Sequence, residues 1–143
     1  MKNFYGIAIY KPKNEANLGI LMRSAYCFGA SFLITIGNRY RRQSTDTTNT
    51  TQNVPYFSYL DWDSFLIGRP VNMDLVSVEV NGRHSLKNFC HPPRALYILG
   101  GEDITLPDYI TNFTKYSVKI ETSTCLNLAV CGSILLYDRQ SKL

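Results

Sequence analysis

Four stretches of this chain gather side chains able to do chemistry, each with a different task. In Asn17-Leu18-Gly19, followed at a helical interval by Arg23, an amide and a permanently protonated guanidinium fall near the start of a predicted helix. Such a corner suits a phosphate or negative charge developing on an oxygen. Alone the pattern is ordinary, since a solvated helix arginine and a capping asparagine account for it. Leu99-Gly100-Gly101-Glu102 ends an apolar run with two glycines. These let a ligand approach the backbone closely, and Glu102 can accept hydrogen bonds or hold Arg23. A plain turn before a helix explains the glycines equally well. Ser123-Thr124-Cys125-Leu126-Asn127 sets small polar groups ahead of an apolar segment, where helix caps belong. Cys125 has no evident base to make it a nucleophile. Finally, Arg39, Arg41 and Arg42 flank Tyr40, offering phosphate contacts beside a ring on which a base could stack.

Other chemistries lack their residues. There is no GxxxxGK phosphate loop, no GxGxxG after the first strand and no GxSxG nucleophile elbow. Four cysteines, Cys27, Cys90, Cys125 and Cys131, form no CxxC pair and are accompanied by only two histidines, so no metal and no disulfide framework is expected. Reduced, mostly buried thiols are the expectation instead. A net charge of +4 favours phosphate-bearing partners without requiring them.

The elements that must position these residues follow from periodicity. Tyr5 to Tyr10 alternates as a strand, and Lys11-Pro12-Lys13-Asn14 breaks it. Leu18, Leu21, Met22, Ala25 and Phe28 then share one helical face, with Asn14 or Asn17 as cap, Gly29 as stop and Arg23 off the stripe. Ser31 to Ile36 reads as the second strand. Asn38 to Asn53 is so rich in Arg, Thr, Asn and Gln that a mobile loop is expected. Further on, a short helix is predicted over Asp61 to Ile67, a strand over Leu75 to Val80 and a helical turn over Ser85 to Phe89. A buried strand at Ala95 to Leu99, a helix from Pro107 through Phe113, a strand at Tyr116 to Ile120 and an apolar helix over Leu126 to Tyr137 follow. The alternation predicts an α/β fold, a mainly parallel sheet flanked by helices, in a single domain spanning 1–143. In such a sheet, ligands gather at the carboxyl ends of the strands, where the Asn17, Gly100 and Asn127 stretches fall. No signal sequence or membrane-crossing apolar run is read, so a cytoplasmic protein is expected.

Taken together in order, the motifs resemble those of the SpoU/TrmH family of RNA 2′-O-methyltransferases, within the SPOUT class. The stretch from Asn17 through Arg23 to Phe28-Gly29-Ala30 is similar to the first family motif. Leu99-Gly100-Gly101-Glu102 with Leu106-Pro107 resembles the second, and Ile120 with Leu126-Asn127 the third. The Arg-Arg-Gln and Asp-Thr of the stretch from Arg39 to Thr48 also resemble a loop of short family members. The sequence departs from the family where Thr105 replaces Gly, Glu121 replaces Pro and Cys125 replaces Ser, and the loop from Ile120 to Leu126 is short.

The resemblance implies a C-terminal trefoil knot, a homodimer, S-adenosylmethionine as cofactor and RNA as partner, tRNA rather than rRNA. By position it implies cofactor contacts at Val78, Gly100, Gly101, Ile120, Cys125 and Leu126, and a reaction centre of Asn17, Arg23, Glu102 and Asn127. The RNA phosphates fall to Arg39, Arg41 and Arg42. In-line attack of the ribose oxygen needs positioning and charge stabilisation rather than a metal. Arg23, always protonated, suits stabilisation of the forming alkoxide better than proton abstraction. The rival readings are a non-catalytic RNA-binding relative and a dimerisation subunit, each without cofactor binding.

Overall fold

The computed structural model describes residues 3–102 and 104–143. Among these residues, seven strands run β1 (Phe4–Tyr10), β2 (Phe32–Ile36), β3 (Tyr56–Tyr59), β4 (Asp74–Val78), β5 (His84–Ser85), β6 (Arg94–Gly100) and β7 (Tyr116–Lys119). Four α-helices accompany them, α1 (Glu15–Cys27), α2 (Trp62–Gly68), α3 (Asp108–Thr111) and α4 (Leu128–Lys142). The sheet order is β3-β2-β1-β6-β4-β7-β5, and every strand pair is parallel. All carboxyl ends therefore open on one edge. The chain builds outward from β1 through β2 and β3, then crosses to β4 and returns to insert β6 beside β1. That reversal of direction makes the β1–β6 junction a crevice suited to a ligand.

Strands β1, β2, β4 and β6 bury both faces, so they read as continuous apolar runs. In β1, Ile7 and Ile9 join a core with Leu21, Met22, Leu135 and Leu136. Ala8 and Tyr10 point oppositely, into a second core with Ile34, Ile36, Phe65 and Ile110. Asn14 caps α1 by accepting from the Asn17 backbone N–H, and Gly29 leaves the helix at φ +83°. The buried positions of α1 include Leu18, Leu21, Met22 and Ala25, as the stripe predicts.

Several expectations need correction. The stretch from Asn38 to Asn53 is not a mobile loop but a folded strap with a buried carboxylate at its centre. Asp46, fully buried, accepts from the Thr50 backbone N–H and hydroxyl and from the Tyr40 hydroxyl at 2.9 Å. Its polar residues satisfy one another rather than water, which composition alone does not reveal. The strap crosses α1 at Gly19, where a Cβ would strike the Thr45 hydroxyl, and that hydroxyl donates to the Ala16 carbonyl at 2.8 Å. Strand β3 follows it unpredicted. The helix expected from Pro107 through Phe113 shortens to Asp108–Thr111, with Pro107 as its cap residue.

The C-terminal helix starts at Leu128 rather than Leu126 and continues to Lys142. It is apolar on more than one face but buried on one: Leu128, Ala129, Leu135 and Leu136 pack inward, whereas Val130, Ile134 and Tyr137 face outward. Its last turns hold a buried arginine, Arg139, which donates to the Pro92 and Pro93 carbonyls and the Tyr97 hydroxyl and also bonds Asn3. His91 bridges Tyr97 and Asp138. These bonds fasten α4 to the chain leading into β6, at the sheet edge opposite the ligand crevice. The thiols are corrected too, because Cys27, Cys90 and Cys125 are exposed and Cys131 is half-buried.

Candidate active site

At the carboxyl ends of β4, β6 and β7 lies a cleft of about 480 Å³. Its walls include Val78, Gly100, Gly101, Ile120, Cys125 and Leu126, which the sequence takes from three separate stretches. Glu102 and Asn127 line it as well. Volume, apolar walls and polar backbone at the strand ends are those of a small-molecule site.

The Gly100-Gly101 turn is shaped by close backbone approach. A Cβ on Gly101 would strike the Lys11 carbonyl, and one on Gly100 would lie 2.8 Å from the Ile104 carbonyl oxygen. The Gly101 N–H donates to the Tyr10 carbonyl at 2.7 Å, continuing the β1–β6 ladder into the loops. Immediately beyond, the Glu102 carboxylate accepts from the backbone N–H groups of Lys13 and Asn14 at 3.0 and 3.1 Å, and from the Asn17 side-chain amide at 3.4 Å. Partial burial works against its charge. These bonds, with one from its own N–H, outweigh burial and hold the carboxyl below the usual glutamate range. Glu102 is thus an ionised clasp joining the end of β6 to the start of α1, not a partner holding Arg23.

The two asparagines are left with opposite capacities. Asn17 spends its amide N–H on Glu102, which leaves the carbonyl oxygen as an acceptor. Asn127 spends its carbonyl oxygen capping α4, accepting from Ala129 and Val130, which leaves its amide as a donor. Arg23 is exposed on α1 and does not line the cleft. Within one chain, Glu102 and Asn127 line the cleft and Asn17 is joined to it through its bond to Glu102, whereas Arg23 lies outside its wall.

Arg39, Arg41 and Arg42 are exposed on the strap, with the Arg39 guanidinium 5.6 Å from the Tyr56 ring centre. Tyr40 is not the stacking ring expected between them. It is buried, its hydroxyl bonded to Asp46, and burial pushes its pKa up to about 12. Sequence reasoning also passed over Glu79. It lies one residue past β4, and its carboxylate accepts the Leu106 N–H at 2.7 Å and so fixes the wall at neighbouring Thr105. A carboxylate inside the strand predicted over Leu75 to Val80 was the available signal. Both ring nitrogens of His91 are bonded, one to Tyr97 and the other to Asp138.

Comparison with known proteins places this geometry. No curated protein matches the chain in sequence. Among solved structures, the SpoU methyltransferase AviRb from Streptomyces viridochromogenes superposes with a TM-score of 0.84 at 21% identity, over 99% of this chain and 62% of that one. An AdoMet-bound rRNA methyltransferase from Sinorhizobium meliloti gives 0.84 at 21%, over 100% and 58%. A structure concerned with 2-OH methylation of C/U34 on tRNA gives 0.83 at 20%, over 98% and 96%. The chain thus spans about three fifths of the first two and nearly all of the third. At these identities the superpositions establish the fold, while the SpoU rRNA Methylase family model matches residues 5–137. That match runs from β1 into α4 and includes every stretch that lines the crevice, so the chain belongs to the SpoU rRNA Methylase family.

Proposed function

We propose that this chain transfers a methyl group from S-adenosylmethionine to a ribose 2′-hydroxyl of RNA, with tRNA as the substrate class. One observation carries the reading: six cofactor positions scattered from Val78 to Leu126 converge on one cleft in a member of this family. The residues fit the cofactor, since the Gly100-Gly101 turn bares backbone to the cleft and Ile120, Leu126 and Cys131 offer apolar cover. When bound, S-adenosylmethionine supplies the electrophilic methyl group. Asn127 offers an amide donor at the cleft wall, and the Glu102 clasp fixes the entry of α1 relative to β6. Arg23 stabilises negative charge on the ribose oxygen, and because it lies outside its own chain's cleft it acts across a homodimer interface.

The tRNA reading is supported by the superposition on the structure concerned with 2-OH methylation of C/U34 on tRNA. The cytoplasm suits three exposed free thiols. The C-terminal trefoil knot belongs to the same reading, supported by a chain that places β7 between β4 and β5 and then crosses back to pack α4 on α1.

The deciding experiment pairs calorimetry with S-adenosylmethionine, with and without RNA, to mapping of ribose methylation in cellular RNA with and without the protein. Saturable cofactor binding and loss of one 2′-O-methyl site are expected. Calorimetric silence at millimolar cofactor, with RNA present, would favour the non-catalytic relative.

A further inference from the structure

A second cleft, of about 570 Å³, opens at the carboxyl ends of β1 and β2 on the opposite side of the Lys11-Pro12-Lys13 segment from the cofactor cleft. Its walls are aromatic, with Trp62, Tyr109 and Phe113 beside Tyr10 and Lys11. Two of these rings are held open to solvent, Tyr109 at 55% and Phe113 at 46% exposure. They are not loose. The Tyr109 hydroxyl is bonded to that of Tyr10 at 2.6 Å, and both rings pack against Trp62, at 6.4 and 6.0 Å between centres. Exposed aromatic rings fixed in this way form a stacking platform.

Polar groups at the rim narrow the ligand. Asp63 lines the cleft and accepts no hydrogen bond from any described residue. An ionised carboxylate only accepts, so it selects a ligand edge that donates. Lys11 lines the mouth and is exposed, Gly37 in the wall leads through Asn38 to exposed Arg39, and the second carboxylate of the wall, Asp61, is spent accepting the Ser64 N–H. The Asn38 amide donates to the Pro12 carbonyl at 2.6 Å, which fixes the Arg39 branch against the same segment. Aromatic faces within, an acceptor at the edge and cations outside match a nucleobase attached to a phosphate backbone.

We propose that this cleft seats an unpaired base of the RNA substrate, guanine by preference, next to the nucleotide whose ribose enters the reaction centre. Guanine presents two adjacent N–H donors to one carboxylate. Adenine and cytosine present an amino group, and uracil flanks its lone N–H with carbonyls that the carboxylate repels. The inference rests on the RNA reading above but concerns a separate cleft. One segment joins the two, because the Lys11 carbonyl packs on Gly101 while the Lys13 N–H donates to Glu102. A base in this cleft therefore fixes the register of the strand crossing the cofactor cleft.

Trp62 is the only tryptophan in the sequence, so its fluorescence reports this cleft alone. Short single-stranded RNAs, one with a central guanine in uridines and one of uridine only, are titrated against the full chain, with anisotropy of a labelled RNA reporting total binding. The guanine oligonucleotide should quench Trp62 and bind on the order of tenfold more tightly than the uridine one. Asp63→Asn, an exposed and nearly isosteric change, should abolish that preference, and Tyr109→Ala should weaken both quenching and binding. Binding by anisotropy without quenching, or a guanine preference unchanged in Asp63→Asn, overturns the base seat and leaves the methyltransferase reading intact. Guanine-dependent quenching without any methyl transfer upholds the seat while the methyltransferase reading fails. Free GMP quenching as strongly as the guanine oligonucleotide at equal concentration overturns RNA as the occupant in favour of a free nucleotide.

Discussion

Arg23 and Glu102 show how one side chain's bonds decide its chemistry. Glu102 is occupied by two backbone N–H groups and an amide, whereas Arg23 is exposed, outside the buried stripe of α1. Truncating Arg23 should therefore open no cavity. Arg23→Ala is expected to melt within a degree or two of the parent, yet to lose on the order of 100-fold in single-turnover methyl transfer, comparable to removing one oxyanion donor. Arg23→Lys restores charge without the planar fork and should recover only part of that rate. Near-parental turnover of the alanine variant would return Arg23 to the solvated surface. Gly101 makes the opposite case. Any side chain there meets the Lys11 carbonyl, so Gly101→Ala must shift the β1–β6 junction. Cofactor affinity measured by calorimetry should fall by more than tenfold with the secondary structure unchanged. Much of this site was legible in the sequence, because strand-end glycines and cap-like asparagines mark carboxyl-edge loops on any parallel sheet. What Glu102 bonds to was not legible, since its partners, Lys13 and Asn14, lie some ninety residues away and contribute backbone rather than side chains.

At the scale of elements, burial was well read and polar order was not. Strands β1, β2, β4 and β6 and helix α1 announce themselves by apolar runs and a stripe, so their limits shift by only a residue or two. The strap from Asn38 to Asn53 shows where that reasoning fails. Its polar side chains are the signature of a solvated loop, yet Asp46 organises them by accepting from Thr50, Tyr40 and Thr48. Such closure depends on which donors converge in space, a property no composition records. Burial opposes ionisation of Asp46, but these hydrogen bonds prevail and its carboxyl titrates below the usual aspartate range. A lowered folded value means the unfolded chain takes up protons first. The stabilisation is therefore complete above the unfolded value near 4 and is lost as pH falls through the folded one. Asp46→Asn, which turns two acceptors into one and adds an unwanted donor, should cost about 1–3 kcal/mol at neutral pH in denaturant titration. The gap from the parent should shrink below about pH 4, as the parent's own carboxyl protonates. A gap that does not change with pH would mean the strap is held by packing on α1 instead.

At the scale of the whole molecule, an apolar row on α4 is left uncovered by the chain's own fold. Val130, Ile134 and Tyr137 share one face of α4, at 47%, 39% and 63% exposure. On the neighbouring helix α1, packed to α4 through the Ser24–Ser133 hydroxyl bond, Ile20 is exposed on the same turn as Arg23. A repeating apolar row on two packed helices is suited to a copy of itself about a two-fold axis. Arg23 stands beside that row and outside its own chain's cleft, so a dimer formed here would carry it toward the partner. The two facts make a joint prediction. Ile134→Asp lies on the surface and should leave the fold and cofactor affinity intact, while light scattering at micromolar concentration should show the mass fall from two chains to one. Methyl transfer should fall with it, by about as much as in Arg23→Ala, because each cleft would then lack its guanidinium. Monomers that still methylate RNA at the parental rate would show Arg23 to act within its own chain, and a parent that is itself monomeric would leave the apolar row to some other partner.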